Sequence, residues 1–189
     1  MPLFLLDRDG VVVVNRKDNI KRPAGLELIA GAAEGIARLT DAGISVAICT
    51  NQPEVARGVM SREELDAAHE ALAGMLAAKG ARIGRILPCI CDRKTPRMKP
   101  AAGMLREALA GYDASAADTP FVGDQLDDLK AAFHAGCPRV LVRTGLGRKA
   151  LERGLPQYLQ PVAVYDDLAA AVDAHLGNHA GGGGIPPTP

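Results

Sequence analysis

The chain has 189 residues, of which 48% are hydrophobic and 23% charged, and its 22 basic and 22 acidic side chains leave no formal net charge. That length supports a folded domain without covalent staples, and the charge balance argues against a basic surface that coats nucleic acid. Aromatic residues make up 3% and Trp is absent, so the core must be aliphatic and a base-stacking platform is not expected.

The first apolar run, Pro2–Leu6, is cut by Asp7-Arg8-Asp9 and is too short for a signal-peptide core. No stretch reaches the roughly 18–20 apolar residues of a membrane helix. Four cysteines in such a chain do not read as a disulfide framework. The expected setting is the reducing cytoplasm, with neither a membrane nor a nucleic acid as partner, and the chain is expected to act as a monomer.

In chain order, Leu3–Leu6 is a continuous apolar run suited to a strand buried on both faces. Gly31–Ala42 has helical spacing and stops at Gly43. Ile44–Cys49 reads as the next strand, and Ser61-Arg62-Glu63-Glu64 as a capping box that opens a helix to about Lys79. Strand Ile83–Ile90, helix Ala101–Ala110, strand Thr119–Val122 and helix Asp127–Ala135 follow. Arg139–Arg143, Val162–Tyr165 and Leu168–Leu176 then close the pattern as strand, strand and helix. Alternation of this kind predicts an α/β fold, a doubly wound, Rossmann-like parallel sheet with right-handed crossovers. One domain is expected over residues 1–176, and the Gly- and Pro-rich residues 177–189 are expected to be a disordered tail.

Candidate chemistry gathers behind the strands, where ligands bind in such sheets. Asp7 and Asp9 are two apart at a strand end and project to the same side. One carboxylate can attack phosphorus and the other can handle protons, which divides a hard displacement into two easier steps. Two anions need a cation to approach a phosphate, and Mg²⁺ takes carboxylate and phosphate oxygens. Asp124, with Asp128 behind it, supplies an acidic site for it. Thr50 and Asn51 can donate to phosphoryl oxygens, and Lys99 can neutralise the group in transfer. Singly, each of these is an ordinary turn, cap or loop residue; together and in this order they are specific.

Asp7-Arg8-Asp9-Gly10-Val11, Thr50-Asn51 behind a strand, Lys99-Pro100 opening a helix and Gly123-Asp124 followed by Asp128 resemble the four motifs of the haloacid dehalogenase-like phosphatases, over about Leu3 to Thr144. Gln52, Ala56-Arg57-Gly58 and Ala102-Gly103-Met104-Leu105 are similar to the heptose bisphosphate phosphatase branch, with histidinol-phosphate phosphatases as close relatives. The resemblance implies Asp7 as nucleophile and Asp9 as general acid and then base. It also implies Mg²⁺ held by Asp7, the Asp9 carbonyl and Asp124. Thr50, Asn51 and Lys99 would bind the transferring phosphoryl group, and Gln52 and Arg57 would meet substrate near the entrance. The substrate expected is a small phosphorylated sugar, heptose bisphosphate losing its 7-phosphate on the way to lipopolysaccharide precursor, with histidinol phosphate as the alternative.

Large-cap members insert whole domains between these motifs, whereas here the intervals hold one helix, then one helix and one strand. The cap is therefore expected to be minimal and made of loops. Those loops carry Lys17, Lys21 and Arg22, and Arg93, Lys94 and Arg97, a cluster suited to a second phosphate. Related enzymes build a zinc loop before the lysine; here only Cys89 and Cys91 remain, short of four ligands, so zinc is expected to be absent. The relatives also place Arg directly before that lysine, where this chain has Met98, with Arg97 as the candidate substitute. His69 and His134 fall within predicted helices and read as structural or solvated. A phosphoacceptor receiver domain shares the sheet, acids, Thr and Lys, but its acceptor follows a central strand away from paired acids.

Overall fold

The computed structural model describes residues 1–15 and 25–180. Strands β1 (Leu3–Leu6), β2 (Ser45–Asn51), β3 (Arg85–Cys89), β4 (Phe121–Gly123), β5 (Arg139–Val142) and β6 (Val162–Tyr165) form one sheet in the order β3-β2-β1-β4-β5-β6. Every pairing is parallel; Leu3 faces Ser45 across β1 and β2, and Leu5 faces Phe121 across β1 and β4. The helices are α1 (Ala32–Asp41), α2 (Arg62–Ala77), α3 (Gly103–Tyr112), α4 (Leu126–Ala135), α5 (Gly147–Glu152) and α6 (Leu168–Ala180). The strand order reverses at β1, and the crevice beyond the β1 and β4 ends is where such sheets bind ligands.

Because neighbouring strand residues point to opposite faces, the apolar runs of β1 and β2 each feed two cores. Phe4, Leu6, Val46 and Ile48 pack with α1, α6 and the Leu72–Leu76 side of α2. Leu3, Leu5, Ala47, Cys49 and Phe121 pack with Met104, Leu105 and Ala108 of α3 and with Ala131 and Ala132 of α4. Burying one such leucine is worth about 1.5–3 kcal/mol, which is why strands this short hold.

The predicted elements appear with ends moved by a few residues. The capping box of α2 is formed: the Glu64 amide donates to Ser61 Oγ at 3.1 Å, and the Ser61 amide to the Glu64 carboxylate at 2.8 Å. Two elements were not foreseen, α5 and a 3-10 turn at Gln157–Leu159. Both are too short for periodicity, and Leu146 before α5 makes no side-chain cap bond. Helix α6 continues through Ala180, past residue 177 where the tail was expected to begin; residues 181–189 lie outside the described residues. So do Lys17, Lys21 and Arg22 of the first basic loop. No described helix is long and apolar enough to cross a membrane.

Candidate active site

The alternation of β1 runs on past its end. Asp7 continues the Leu3–Leu5 side, toward α3 and α4, while Arg8 continues the Phe4–Leu6 side, toward α2. The Asp7 amide donates to the Val122 carbonyl at 2.8 Å, which fixes the chain where β1 meets β4.

On the α3/α4 side, Lys99 Nζ lies 2.7 Å from Asp7 Oδ1 and 2.6 Å from Asp128 Oδ1, and all three side chains are buried. The ammonium also stands 5.4 Å from the centre of the Phe121 ring. Asp128 Oδ2 accepts from the amides of Asp124, at 3.2 Å, and Gln125, at 3.0 Å, so both oxygens of Asp128 are occupied. Burial by itself would lower the Lys99 pKa, but Asp128 and then Asp7 outweigh it and hold the amine charged. Burial pushes Asp7 up to about 8; Lys99 opposes this, and Asp128, Asp9 and Asp124 add to it. Asp124 is likewise raised to about 7, first by burial and then by Asp128, against the Leu146 amide.

Asp124 Oδ2 accepts from the Leu146 amide at 2.8 Å, while its buried Oδ1 has no hydrogen-bond partner among the described residues. Gly10 and Gly145 close over this carboxylate, both at positive φ; a Cβ on either would come within 2.1 Å of Asp124 Oδ2. Thr144 Oγ1 ties the two loops together by donating to the Gly10 carbonyl at 2.6 Å. Asp7, Asp124 and Asp128 present oxygens within 4.8 Å of one another. The orphaned Oδ1, the raised carboxylates and the all-oxygen donor set fit a hard divalent cation such as Mg²⁺.

Arg8, which lies toward α2, meets Asp9 and Gln52. Arg8 Nε donates to Asp9 Oδ1 at 3.1 Å, and Nη2 donates to Asp9 Oδ2 at 3.0 Å and to Gln52 Oε1 at 2.9 Å. Gln52 Nε2 in turn reaches Asp9 Oδ2 and Thr50 Oγ1, each at 3.0 Å. The buried Gln52 therefore links the acid–base candidate to the phosphate-binding candidate and does not stand at the entrance, as the resemblance implied.

Asn51 also has a different place. Its Nδ2 donates to the Lys99 carbonyl at 3.0 Å and its Oδ1 accepts from the Lys99 amide at 3.1 Å, so its side chain seats the lysine loop. Arg57 is exposed in the turn after β2. Arg97 turns away from the acids, its Nη1 3.1 Å from Glu107 Oε2 on α3, while Met98, like Cys91, packs against the α3/α4 core. Cys89 is buried and Cys91 half-buried at the end of β3. The structure thus gathers Asp7, Asp9, Thr50, Gln52, Lys99 and Asp124, with Asn51 as a support, and leaves Arg57 and Arg97 at the surface. Sequence reasoning missed Thr144, Gly145 and Leu146 as makers of the Asp124 seat, since a backbone amide carries no residue signature. His69 was missed as well, and it touches Arg8.

Comparison with known proteins agrees with this geometry. Residues 97–171 match the HAD-hydrolase-like family. The chain is 40% identical over 179 residues to the D-glycero-beta-D-manno-heptose-1,7-bisphosphate 7-phosphatase of Bordetella bronchiseptica, covering 93% of this chain and 98% of that one. It is 38% identical to the Pseudomonas aeruginosa protein of the same name, over 92% of this chain and 97% of the relative. The crystal structure of D,D-heptose 1,7-bisphosphate phosphatase from B. bronchiseptica, complexed with magnesium and phosphate, superposes with a TM-score of 0.88 at 39% identity, over 94% of this chain and 99% of that one. The Burkholderia thailandensis enzyme gives 0.74 at 34% identity, over 93% and 99%. A doubly wound sheet with this buried acid–lysine cluster defines a phosphoric monoester hydrolase. The chain belongs to the HAD-hydrolase-like family, in the group of the heptose bisphosphate phosphatases.

Proposed function

We propose that this enzyme removes the 7-phosphate of D-glycero-D-manno-heptose 1,7-bisphosphate, with Mg²⁺, as a step toward lipopolysaccharide heptose precursor, and that it works as a cytoplasmic monomer. The observation that carries the chemistry is the buried Asp7–Lys99–Asp128 bridge beside an Asp124 oxygen that has no partner among the described residues; the substrate is carried by the relatives.

Asp7 and Asp124, with the Asp9 carbonyl, would hold Mg²⁺, since both Asp128 oxygens are spoken for. Bound there, the cation supplies Lewis-acid neutralisation of the phosphoryl oxygens and of the carboxylates around them. An Asp7 oxygen attacks phosphorus; the P–O bond to the sugar breaks, and the departing oxygen takes a proton from Asp9. Water then attacks the phosphoryl group on Asp7 and gives its proton to Asp9. The P–O bond to Asp7 breaks, phosphate leaves, and both aspartates return to their starting states. Thr50 Oγ1 and the Lys99 ammonium stabilise charge on the group in transfer. Lys99 is placed for this by Asp128 through its side chain and by Asn51 through its backbone.

The deciding experiment measures phosphate release from both heptose bisphosphate anomers and from histidinol phosphate, with and without Mg²⁺. We expect Mg²⁺-dependent release with the highest kcat/KM on a heptose bisphosphate. A higher kcat/KM on histidinol phosphate would overturn the substrate assignment.

A further inference from the structure

Arg8 is among the largest fully buried side chains of the protein, 1% exposed, and the reaction above gives it no part. A guanidinium out of water is costly unless its donors are met, and here each of its three nitrogens has a partner. Besides Asp9 and Gln52, Arg8 Nη1 lies 3.1 Å from His69 Nε2. Arginine only donates, so His69 must present a bare Nε2. It is kept neutral for that role, its pKa lowered to about 4 by burial and then by Arg8. His69 sits four residues after Leu65 and three before Leu72, on the buried stripe of α2. Helix α2 reaches the charge machinery of the site at this residue.

We infer that Arg8, seated by His69 and Gln52, is a positioning residue that fixes the Asp9 carboxylate in its working orientation, with His69 as the anchor of the clamp. With both Asp9 oxygens held, the carboxylate has one orientation available. Remove the His69 acceptor and Nη1 is left buried and unpaired; the guanidinium turns to find a partner, and Asp9 turns with it. The inference rests on the reading of Asp9 as the proton carrier.

The test compares wild type, His69→Leu, which keeps bulk without an acceptor, and His69→Gln, which restores one. Leaving-group release in the first turnover is followed with heptose bisphosphate or glycerol phosphate, whose alkoxides need a proton, and with p-nitrophenyl phosphate, whose phenolate departs without one. Misplacing an acid that contributes 10²–10⁴-fold should slow the alkyl phosphates about 10-fold in His69→Leu and p-nitrophenyl phosphate less than about 2-fold. KM and the Mg²⁺ requirement should stay within about 2-fold, and His69→Gln should recover to within about 3-fold of wild type. Equal slowing of both substrate types, no slowing, or a His69→Gln variant as slow as His69→Leu overturns the clamp. His69→Ala, which keeps helix propensity and also removes the acceptor, carries the same selective expectation if His69→Leu does not fold. Failure of wild type on heptose bisphosphate alone would reject the substrate proposed above, while glycerol phosphate would still decide the clamp.

Discussion

The two sides of the β1 terminus differ in how completely their polar groups are paired. Toward α3 and α4, Asp7 and Asp128 bridge the Lys99 ammonium beside Asp124, one oxygen of which has no partner among the described residues. Toward α2, Arg8, Asp9, Gln52, Thr50 and His69 satisfy one another in a continuous network. The first side is a charge imbalance that a cation corrects; the second is a finished scaffold that holds a group still. The same strand builds both because its alternation sends Asp7 one way and Arg8 the other.

The largest effect that tests this contrast is Asp7→Asn. If Asp7 is the nucleophile, phosphatase activity should fall by roughly 10⁴-fold or more. The amide also removes a carboxylate that burial disfavours, so the metal-free variant should melt no lower than wild type. Calorimetry and a phosphate assay check both statements; retained turnover would remove Asp7 from its role.

Lys99→Met comes next. It leaves Asp7 and Asp128 without their shared cation, and breaking a buried pair in this way costs about 3–5 kcal/mol. Denaturant unfolding at neutral pH should show this loss. It should be larger at pH 8 than at pH 5, because Asp7, raised to about 8, is more ionised at the higher pH and so loses more when the ammonium is absent. A loss that does not change with pH would mean that the lysine stabilises by packing alone.

The two sides should also answer pH with opposite signs. Without metal, Asp7 at about 8 and Asp124 at about 7 lie above their ordinary 3.8. The folded state therefore binds more protons than the unfolded one, and stability is fully present below about 3.8 and lost as pH rises through 7–8. His69, lowered from 6.5 to about 4, works the other way: its stability is present above 6.5 and lost as pH falls toward 4. Thermal melts across pH should show the first slope abolished by saturating Mg²⁺, with more stabilisation by Mg²⁺ at pH 8 than at pH 5. The second slope should vanish in His69→Leu and be indifferent to Mg²⁺. A common response of both slopes to Mg²⁺ would mean that the regions are not separate.

The smallest effect belongs to Arg97→Ala. An exposed pair such as Arg97–Glu107 is worth within about 1 kcal/mol, and its direction away from the acids implies a KM within about 2-fold of wild type. A large rise in KM would mean that the loop before Lys99 turns inward when substrate binds.

Most of the strand–helix order was legible because the apolar runs Leu3–Leu6 and Ile44–Cys49 are long enough to demand burial on two faces, and Gly43 and Ser61 mark helix ends by their own chemistry. The acids and Lys99 were legible because carboxylates and an amine at successive strand ends have few other common uses. Gln52, Asn51 and Arg97 were assigned to substrate by type and position, yet two are spent on neighbours that are distant in sequence and the third pairs with Glu107. A side chain's type says which bonds it can make, and only packing says which partner arrives first.

By itself, then, the sequence pointed to the sheet, to Asp7, Asp9, Lys99 and Asp124 as the candidate site, and to a cation, because these follow from periodicity and charge. Only the tertiary structure decided that His69 anchors Arg8, that Gly10, Gly145 and Leu146 seat Asp124, and that Asn51 serves Lys99. The hydrogen bonds among those contacts join residues 22 to 61 positions apart, and no local pattern encodes a meeting that exists only once the sheet has brought its strand ends together.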